Sequence, residues 1–360
     1  MNLKVWWRGL AEGRCSGFTM LLTTLLLAVP SLLYGLLLQV RALLYRYSIF
    51  KSSRLSCPVI SVGNLTVGGT GKTPITIWIA RYLLQQGLRV AVLSRGYGGT
   101  LQGEVAVVSD GRSIFLSPDI CGDEPCLMAR TLPELMVVVG ANRYQAGLLA
   151  LEQLQPDVLL LDDGFQHLRL QRDLNILLLD SSRPFGNGWT LPLGLLREPR
   201  SALKRADLVV FTRHQPGQQV VDPGVPYCWS SHQLTTFRRL VDRSELPVAG
   251  LQQARVAAFC GIADPHAFFE GLRGLGITLV ATLSLPDHEP YHGEGFRRLE
   301  RFVTEHTADW LVTTEKDGVK LALQQQLWLN KVVTVRLELL VSDNGRLVKA
   351  ALEKLLAPHP

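Results

Sequence analysis

The sequence predicts an α/β protein: a three-layer domain around a mostly parallel sheet, a second and smaller α/β domain after it, and a hydrophobic N-terminal anchor helix. Three observations carry this expectation. Short aliphatic runs alternate with helical stretches, those runs are continuously apolar, and residues 15–40 contain no charge. Continuous runs imply strands covered on both faces, and hence a parallel sheet between helical layers. With 360 residues, 47% of them apolar and 19% charged, the chain can bury two cores and still spare an appendage.

The anchor comes first in the chain. The run LLTTLLLAVPSLLYGLLLQV at 21–40 is about the length that crosses a hydrocarbon layer. Trp6 and Trp7 before it, and Tyr45 and Tyr47 after it, suit the headgroup level, with Arg41 and Arg46 alongside. Pro30 and Gly35 should kink a spanning helix, which leaves a hairpin or a tilted, half-inserted helix open beside a simple span. A cleaved signal peptide is disfavoured, because the apolar run is too long and no small-x-small cleavage site follows it.

The formal net charge of +6 is concentrated here. Residues 1–54 hold seven basic side chains (Lys4, Arg8, Arg14, Arg41, Arg46, Lys51 and Arg54) against Glu12, leaving 30 basic and 30 acidic residues among the other 306. Such asymmetry fits a collar drawn to an anionic membrane surface and argues against a nucleic-acid groove. The cysteines at 15, 57, 121, 126, 228 and 260 lack zinc-ligand spacing, so reduced thiols are expected.

Six runs follow the anchor: 58–64, 89–96, 135–141, 157–164, 174–180 and 207–213. Several end in polar residues that should converge beyond the carboxyl edge of one sheet. The turn-rich stretch 215–231 reads as a loop or hinge. Runs at 254–262, 277–283, 309–314 and 332–339 then form the smaller domain. The expected divisions are therefore an anchor segment at 1–54, a nucleotide-binding domain at 55–235 and a C-terminal α/β domain at 236–360.

The first strand leads into NLTVGGTGKTP and an amphipathic helix. In the segment Thr66, Val67, Gly68, Gly69, Thr70, Gly71, Lys72 and Thr73, the glycines let backbone N–H groups face phosphate oxygens. Lys72 can reach the β and γ phosphates, and Thr73 offers a hydroxyl to Mg²⁺. The sheet domain is thus expected to be of the P-loop NTPase type, although Thr66 stands where that loop usually begins with Gly. The strand 157–161 runs into Asp162 and Asp163, the pattern of a carboxylate that holds Mg²⁺. The second acid could orient an acceptor hydroxyl or serve as a turn residue.

The sequence resembles the tetraacyldisaccharide 4′-kinases, inner-membrane enzymes of lipid A synthesis. The likeness rests on VGNLTVGGTGKTP (62–74), SRGYGG (94–99), GDEP (122–125), ANR (141–143), LDDGFQH (161–167), LPLGLLREP (191–199), CGIADPHAFF (260–269), PDHEPYH (286–292) and TEKDGVKL (314–321), in family order. The resemblance implies transfer of the ATP γ-phosphoryl group to the 4′-hydroxyl of a tetraacyldisaccharide 1-phosphate, on the cytoplasmic face of the membrane, by a monomer. It implies catalytic roles for Asp123, Asp162, Asp163, His288 and Lys72, with Asp123 the candidate base and His288 its support. Glu124, Arg143, His167, Arg197 and Glu198 would meet the substrate, and Thr73 and Asp162 the metal. From the residues alone, Asp123 is equally a helix N-cap and His288 a structural histidine. GIADP and Glu289 depart from patterns more common among relatives.

The chemistry is coherent apart from the resemblance, because phosphoryl transfer needs positioning and charge neutralisation more than covalent help. The competing class is a membrane-tethered ATPase or GTPase switch without a lipid acceptor. Val67 stands where such switches carry a signature Lys, and no guanine-selecting NKxD is present.

Overall fold

In the computed structural model, Trp7, Gly9, Ala11 and residues 18–101, 104–322, 324 and 326–357 are described. Lys4, Trp6, Arg8, Glu12, Arg14 and Cys15, all on the expected anchor flank, lie outside them. Contacts group the chain into two compact units. Met1–Arg95, Asn142–Ser231 and Leu340–Pro360 form the first, Gly96–Ala141 and His232–Leu339 the second. That grouping differs from a single cut near residue 235, because strand pairing joins segments that the chain order separates.

The first segment carries helix α1 (Phe18–Arg46), β1 (Val59–Asn64), α2 (Lys72–Gln85) and β2 (Val90–Ser94). The second unit opens with β3 (Ala106–Asp110), α3 (Pro118–Cys121), α4 (Asp123–Thr131) and β4 (Met136–Val139). The chain returns to the first unit through α5 (Arg143–Gln153), β5 (Val158–Asp162), β6 (Leu174–Asp180), β7 (Leu208–Thr212) and the start of β8 (Tyr227–Arg239). The second unit resumes with β9 (Glu245–Leu246), α6 (Val248–Gln252), β10 (Val256–Cys260), α7 (Pro265–Gly274), β11 (Leu279–Ser284), α8 (Gly293–Glu305), β12 (Trp310–Thr314), α9 (Glu315–Leu321) and β13 (Val332–Val341). Helix α10 (Arg346–Leu356) closes the first.

Strands of the first unit lie in the order β8-β7-β6-β1-β5-β2, every pair parallel. Every residue of β1, β2, β5 and β7 is buried, as their unbroken Val, Ile and Leu runs require for a sheet covered on both faces. Helices α2, α5 and α10 pack on it. Because β1 lies between β5 and β6, the turns after β1 and β5 open side by side at the carboxyl edge, where α/β sheets bind ligands.

The second unit has a parallel run β11-β10-β12-β13, the antiparallel pair β3–β4, and β9 paired to the later part of β8. Along β10 the side chains alternate between two cores: Ala258 and Cys260 join Phe268, Phe269 and Leu272, while Ala257 and Phe259 join Tyr291, Leu299 and Phe302.

Two expectations change. The stretch 215–231 is not all loop, because Tyr227 begins a strand of 13 residues. Pro216, Gly217, Pro223, Gly224 and Pro226 end the turn chemistry, and the next residues alternate Cys228 and Ser230 inward with Tyr227 and Trp229 outward. Helix α1 also runs unbroken through Pro30 and Gly35. It is the one helix among the described residues long and apolar enough to cross a membrane, and only 11% of its apolar window is buried.

One stripe of that helix is nevertheless fastened to the first unit. Ser31 donates to the Thr190 carbonyl at 2.5 Å, and the Thr190 hydroxyl donates to the Ser31 carbonyl at 2.7 Å. Gly35 faces the same residue, where a Cβ would meet the Thr190 hydroxyl at an ordinary contact distance of 3.4 Å. Trp7, expected at headgroup level, donates its indole N–H to the Pro192 carbonyl at 2.7 Å.

Candidate functional site

The chemistry-bearing residues form two clusters, one in each unit. The first surrounds the turn after β1. Gly68 and Gly71 have φ of 119° and 80°, backbone that a side chain would strain, and α2 begins at Lys72. The turn is pinned from outside: Val67 N–H donates to the Leu195 carbonyl at 2.8 Å, and Arg197 N–H donates to the Leu65 carbonyl at 2.7 Å. Thr66 bridges Leu196. The segment 190–197 thus fixes the entry to the loop, leaving Gly68 and Gly69 exposed and Thr70 buried.

Lys72 Nζ lies 3.5 Å from Asn64 Oδ1 and 3.7 Å from Asp163 Oδ1. Arg197 straddles the same carboxylate at 2.9 and 2.8 Å. Burial pushes the Asp163 carboxyl up, but the Lys72 and Arg197 charges outweigh it and hold the group below the ordinary carboxylate range. Asp163 has φ of 55°, so the chain turns sharply at the second acid and sends the two carboxylates different ways.

Asp162, 2% exposed, accepts from Thr76 and Ser94 hydroxyls, each at 3.4 Å. Thr73 precedes Thr76 by one helical turn on the same face, so its hydroxyl lies on the side of α2 that meets Asp162. No group of three His, Cys, Asp or Glu side chains forms a metal cage among the described residues. A carboxylate and a hydroxyl beside a glycine-rich loop are the hard oxygen donors that Mg²⁺ shares with phosphates and water, so the donor set fits that ion.

Arg143 is buried, donates to the Asp162 carbonyl at 3.2 Å, and is held down to about 10 by burial. Burial and the Arg143 charge lower His167 to about 4, which keeps that ring neutral. Glu198 pairs with Arg205 at 2.6 Å instead of joining Lys72 and Asp163. Sequence reasoning missed Arg213, which donates to the Gly69 carbonyl at 2.6 Å and to Asp180 at 3.0 Å. Its only signal was its place at the end of an apolar run.

The second cluster gathers around Asp123, 4% exposed at the first turn of α4. Gly122 occupies the N-cap, so the capping alternative for Asp123 does not hold. His288 Nδ1 lies 3.0 and 3.1 Å from the two carboxylate oxygens. Lys320 Nζ stands 3.4 Å and Lys316 Nζ 3.6 Å from Oδ2. Lys316 also reaches Asp287 at 3.2 Å and Glu124 at 4.0 Å.

Burial acts to raise the Asp123 carboxyl, yet the His288 hydrogen bond and the lysine charges overcome it and drive the group far below its usual range. The same bond raises His288, against burial. Tyr97 packs edge-on to the His288 ring at 5.1 Å. Lys316 and Lys320, four residues apart on α9, are functional candidates that sequence reasoning left unassigned within TEKDGVKL. An anionic carboxylate bonded to an imidazole and flanked by two ammonium groups can accept a proton and hold anionic substrate groups.

Comparison with known proteins places these clusters in a family context. A family model described as tetraacyldisaccharide-1-P 4′-kinase matches residues 23–356. The chain is 53% identical over 351 residues to the tetraacyldisaccharide 4′-kinase of Pelobacter propionicus, covering 97% of each chain. It is 50% identical over 357 residues to that of Geobacter sulfurreducens, covering 99% of this chain and 100% of the other. It is also similar to a crystal structure of LpxK from Aquifex aeolicus in complex with ATP, at 35% identity and a TM-score of 0.76, covering 91% of this chain and 97% of that one.

Proposed function

The chain belongs to the tetraacyldisaccharide-1-P 4′-kinase family, and from that membership we propose how its own residues carry the reaction. It is an ATP-dependent kinase that passes the γ-phosphoryl group to the 4′-hydroxyl of a tetraacyldisaccharide 1-phosphate, in lipid A biosynthesis. A nucleotide switch without a lipid acceptor is not favoured.

In our reading the first unit is a P-loop NTPase-type body. Backbone N–H groups from Thr66 to Thr73 cradle the phosphates, and Lys72 neutralises charge on the transferred group. The observation that carries this is the placement of Lys72 at the head of α2, directed at Asn64 and Asp163 by contacts of 3.5 and 3.7 Å. Thr73 and Asp162 would hold Mg²⁺, which when bound offsets the phosphate charge. Asp163, gripped by Arg197, keeps Lys72 extended, and Arg143 fixes the turn that carries both acids. Neutral His167, with Glu124, Arg197 and Glu198, serves substrate placement.

Asp123 takes the proton from the 4′-hydroxyl, and His288 holds the carboxylate in line for it. A base with a strongly depressed pKa is weak when alone. The His288 hydrogen bond and the Lys316 and Lys320 charges that depress it keep it ionised, so the proton passes to a carboxylate that is always free to accept one. The exposed face of α1, with the basic collar around it, holds the body on the cytoplasmic face of the inner membrane, where the acceptor is confined. The enzyme acts there as a monomer.

The test is transfer of labelled γ-phosphate from Mg²⁺-ATP to the tetraacyl acceptor in mixed micelles. Lys72→Ala and Asp162→Ala should abolish turnover, whereas Asp123→Ala should lower kcat with little change in ATP affinity. Equal loss of ATP affinity in all three variants would refute the assignment of roles.

A further inference from the structure

We propose that Asp317, on α9, is a positioning residue for the phosphoryl transfer: it fixes the end of β10, and through it the turn that sets the His288 ring against Asp123. The inference rests on the reading above that Asp123 takes the proton with His288 as its support, and it assigns what holds that support in place.

Asp317 is fully buried, and no step of the reaction uses it. Its surroundings begin as a capping box, since Thr314 is the N-cap of α9 and its hydroxyl oxygen accepts from Asp317 N–H at 3.1 Å. In such a box the acid at the third helical position returns to the backbone N–H of the N-cap. This one reaches across to another element. Asp317 Oδ2 accepts from Gly261 N–H at 3.1 Å, from the Thr314 hydroxyl at 2.7 Å and from the Thr313 hydroxyl at 3.5 Å.

Gly261 is the first residue past β10, and the pairing of β10 with β12 ends at Ala258 and Val312. The carboxylate therefore takes a buried N–H that this ladder does not serve. A Cβ at Gly261 would lie 3.0 Å from the Pro286 carbonyl and 3.1 Å from Asp317 Oδ1, so the approach is tight on both sides.

The turn that carries His288 hangs on the same strand end. Leu285 N–H donates to the Cys260 carbonyl at 2.9 Å, and His288 N–H donates to the Gly261 carbonyl at 3.3 Å. His288 and Tyr291 have φ of 62° and 55°, backbone that a residue with a side chain keeps only where its neighbours enforce it. From the Asp317 carboxylate to the His288 backbone the link is one residue long. The Tyr291 hydroxyl is buried in the same place, where burial and the Asp317 charge push it well above the ordinary tyrosine value. A second route joins the two acids through Lys320, 3.9 Å from Asp317 Oδ1 and 3.4 Å from Asp123 Oδ2.

The experiment uses full-length protein in mixed micelles with the tetraacyl acceptor and Mg²⁺-ATP. Asp317→Ala should lower kcat about tenfold, the cost of a small displacement of a supporting group, and leave KM for ATP and for the acceptor unchanged. Asp317→Asn keeps an oxygen for Gly261 N–H but drops the charge that faces Lys320. It should recover most of kcat even though its Tm falls. Added to His288→Ala, Asp317→Ala should cost less than about a further twofold in kcat, because its effect runs through the missing ring.

A full tenfold loss repeated in the His288→Ala background would overturn the proposal, as would Asp317→Asn as slow as Asp317→Ala, or unchanged kcat in Asp317→Ala. Should Asp317→Ala fail to fold, Gly261→Ala crowds the same contact from the other side and takes its place in the cycle, with the same expectations. Undiminished kcat in His288→Ala would instead strike at the reading of Asp123 and His288, and this proposal with it.

Discussion

Lys320→Met removes one buried positive charge from the Asp123 cluster while keeping most of the side-chain volume. Lys320 Nζ stands 3.4 Å from Asp123 and 3.9 Å from Asp317, and it faces the Tyr291 ring at 5.3 Å. At an effective dielectric of about 20, the two attractions are worth about 5 and about 4 kcal/mol before desolvation. Burying the ammonium costs several kcal/mol, which the substitution returns. The net loss should then be about 3 kcal/mol, in line with breaking one partner out of a buried ion network. For a body of this size each kcal/mol lowers Tm by about 2–4 °C, so a fall of roughly 6–12 °C is expected by thermal unfolding in detergent.

The pH dependence separates charge from packing. Asp123 titrates below its ordinary value in the folded protein, so its contribution is complete above the unfolded carboxylate pKa and is lost as pH falls. The gap between wild type and variant should be flat from pH 7 to about 5, begin to narrow below about 4, and vanish only as pH falls through the far lower value of folded Asp123. A gap that persisted unchanged into acid would mean lost packing and would refute the electrostatic account. A difference of less than about 1 °C at pH 7 would refute the stabilising role altogether.

Other consequences follow from the same geometry. His288 is raised by its bond to Asp123, so that bond stabilises fully below the ordinary histidine pKa of about 6.5 and fades as pH rises through the raised value. The Tm difference between wild type and His288→Asn should therefore be full below about pH 6.5 and shrink as pH rises above it. Gly63→Ala would set a Cβ 2.7 Å from Phe165 Cβ and 2.8 Å from its backbone nitrogen, so a loss of about 1–3 kcal/mol and weaker ATP affinity are expected in melting and kinetic assays. Ser31→Ala and Thr190→Val each remove one of the two hydroxyl-to-carbonyl bonds that fasten the anchor helix and leave the other in place, so each should cost about 1 kcal/mol. The double mutant should cost about the sum of the two in melting experiments, and a double mutant no worse than either single one would refute two separate bonds.

Much of the strand arrangement around the turns after β1 and β5 was legible in the sequence because one physical signal encodes it. Continuous apolar runs mark doubly covered strands, and the polar residue that ends each run, such as Asn64 or Asp162, must fall at the carboxyl edge. The strand at Tyr227 was hidden because its first residues alternate in burial and follow a cluster of Pro and Gly, which reads as loop. Lys316 and Lys320 were hidden for another reason. Spacing shows that they share a face of α9 but not that the face meets Asp123, nearly two hundred residues earlier. The grouping of 96–141 with 232–339 escaped notice in the same way, since periodicity reports which side of an element is buried and never against what.

The short segment from Thr190 to Arg197 carries two attachments at once. One end is buttoned to Ser31 of the apolar helix, and the other is laced to Val67 and Leu65 beside the phosphate loop. A protein tied to a bilayer by a floppy leash can roll and present any side to the lipid. Here the fastening works as a bracket: with α1 in a bilayer as proposed, the tilt of the helix would set the heading of the loop after β1 through the eight residues of chain that join them. A bilayer thick enough to change that tilt would then re-aim the proposed nucleotide site without touching it.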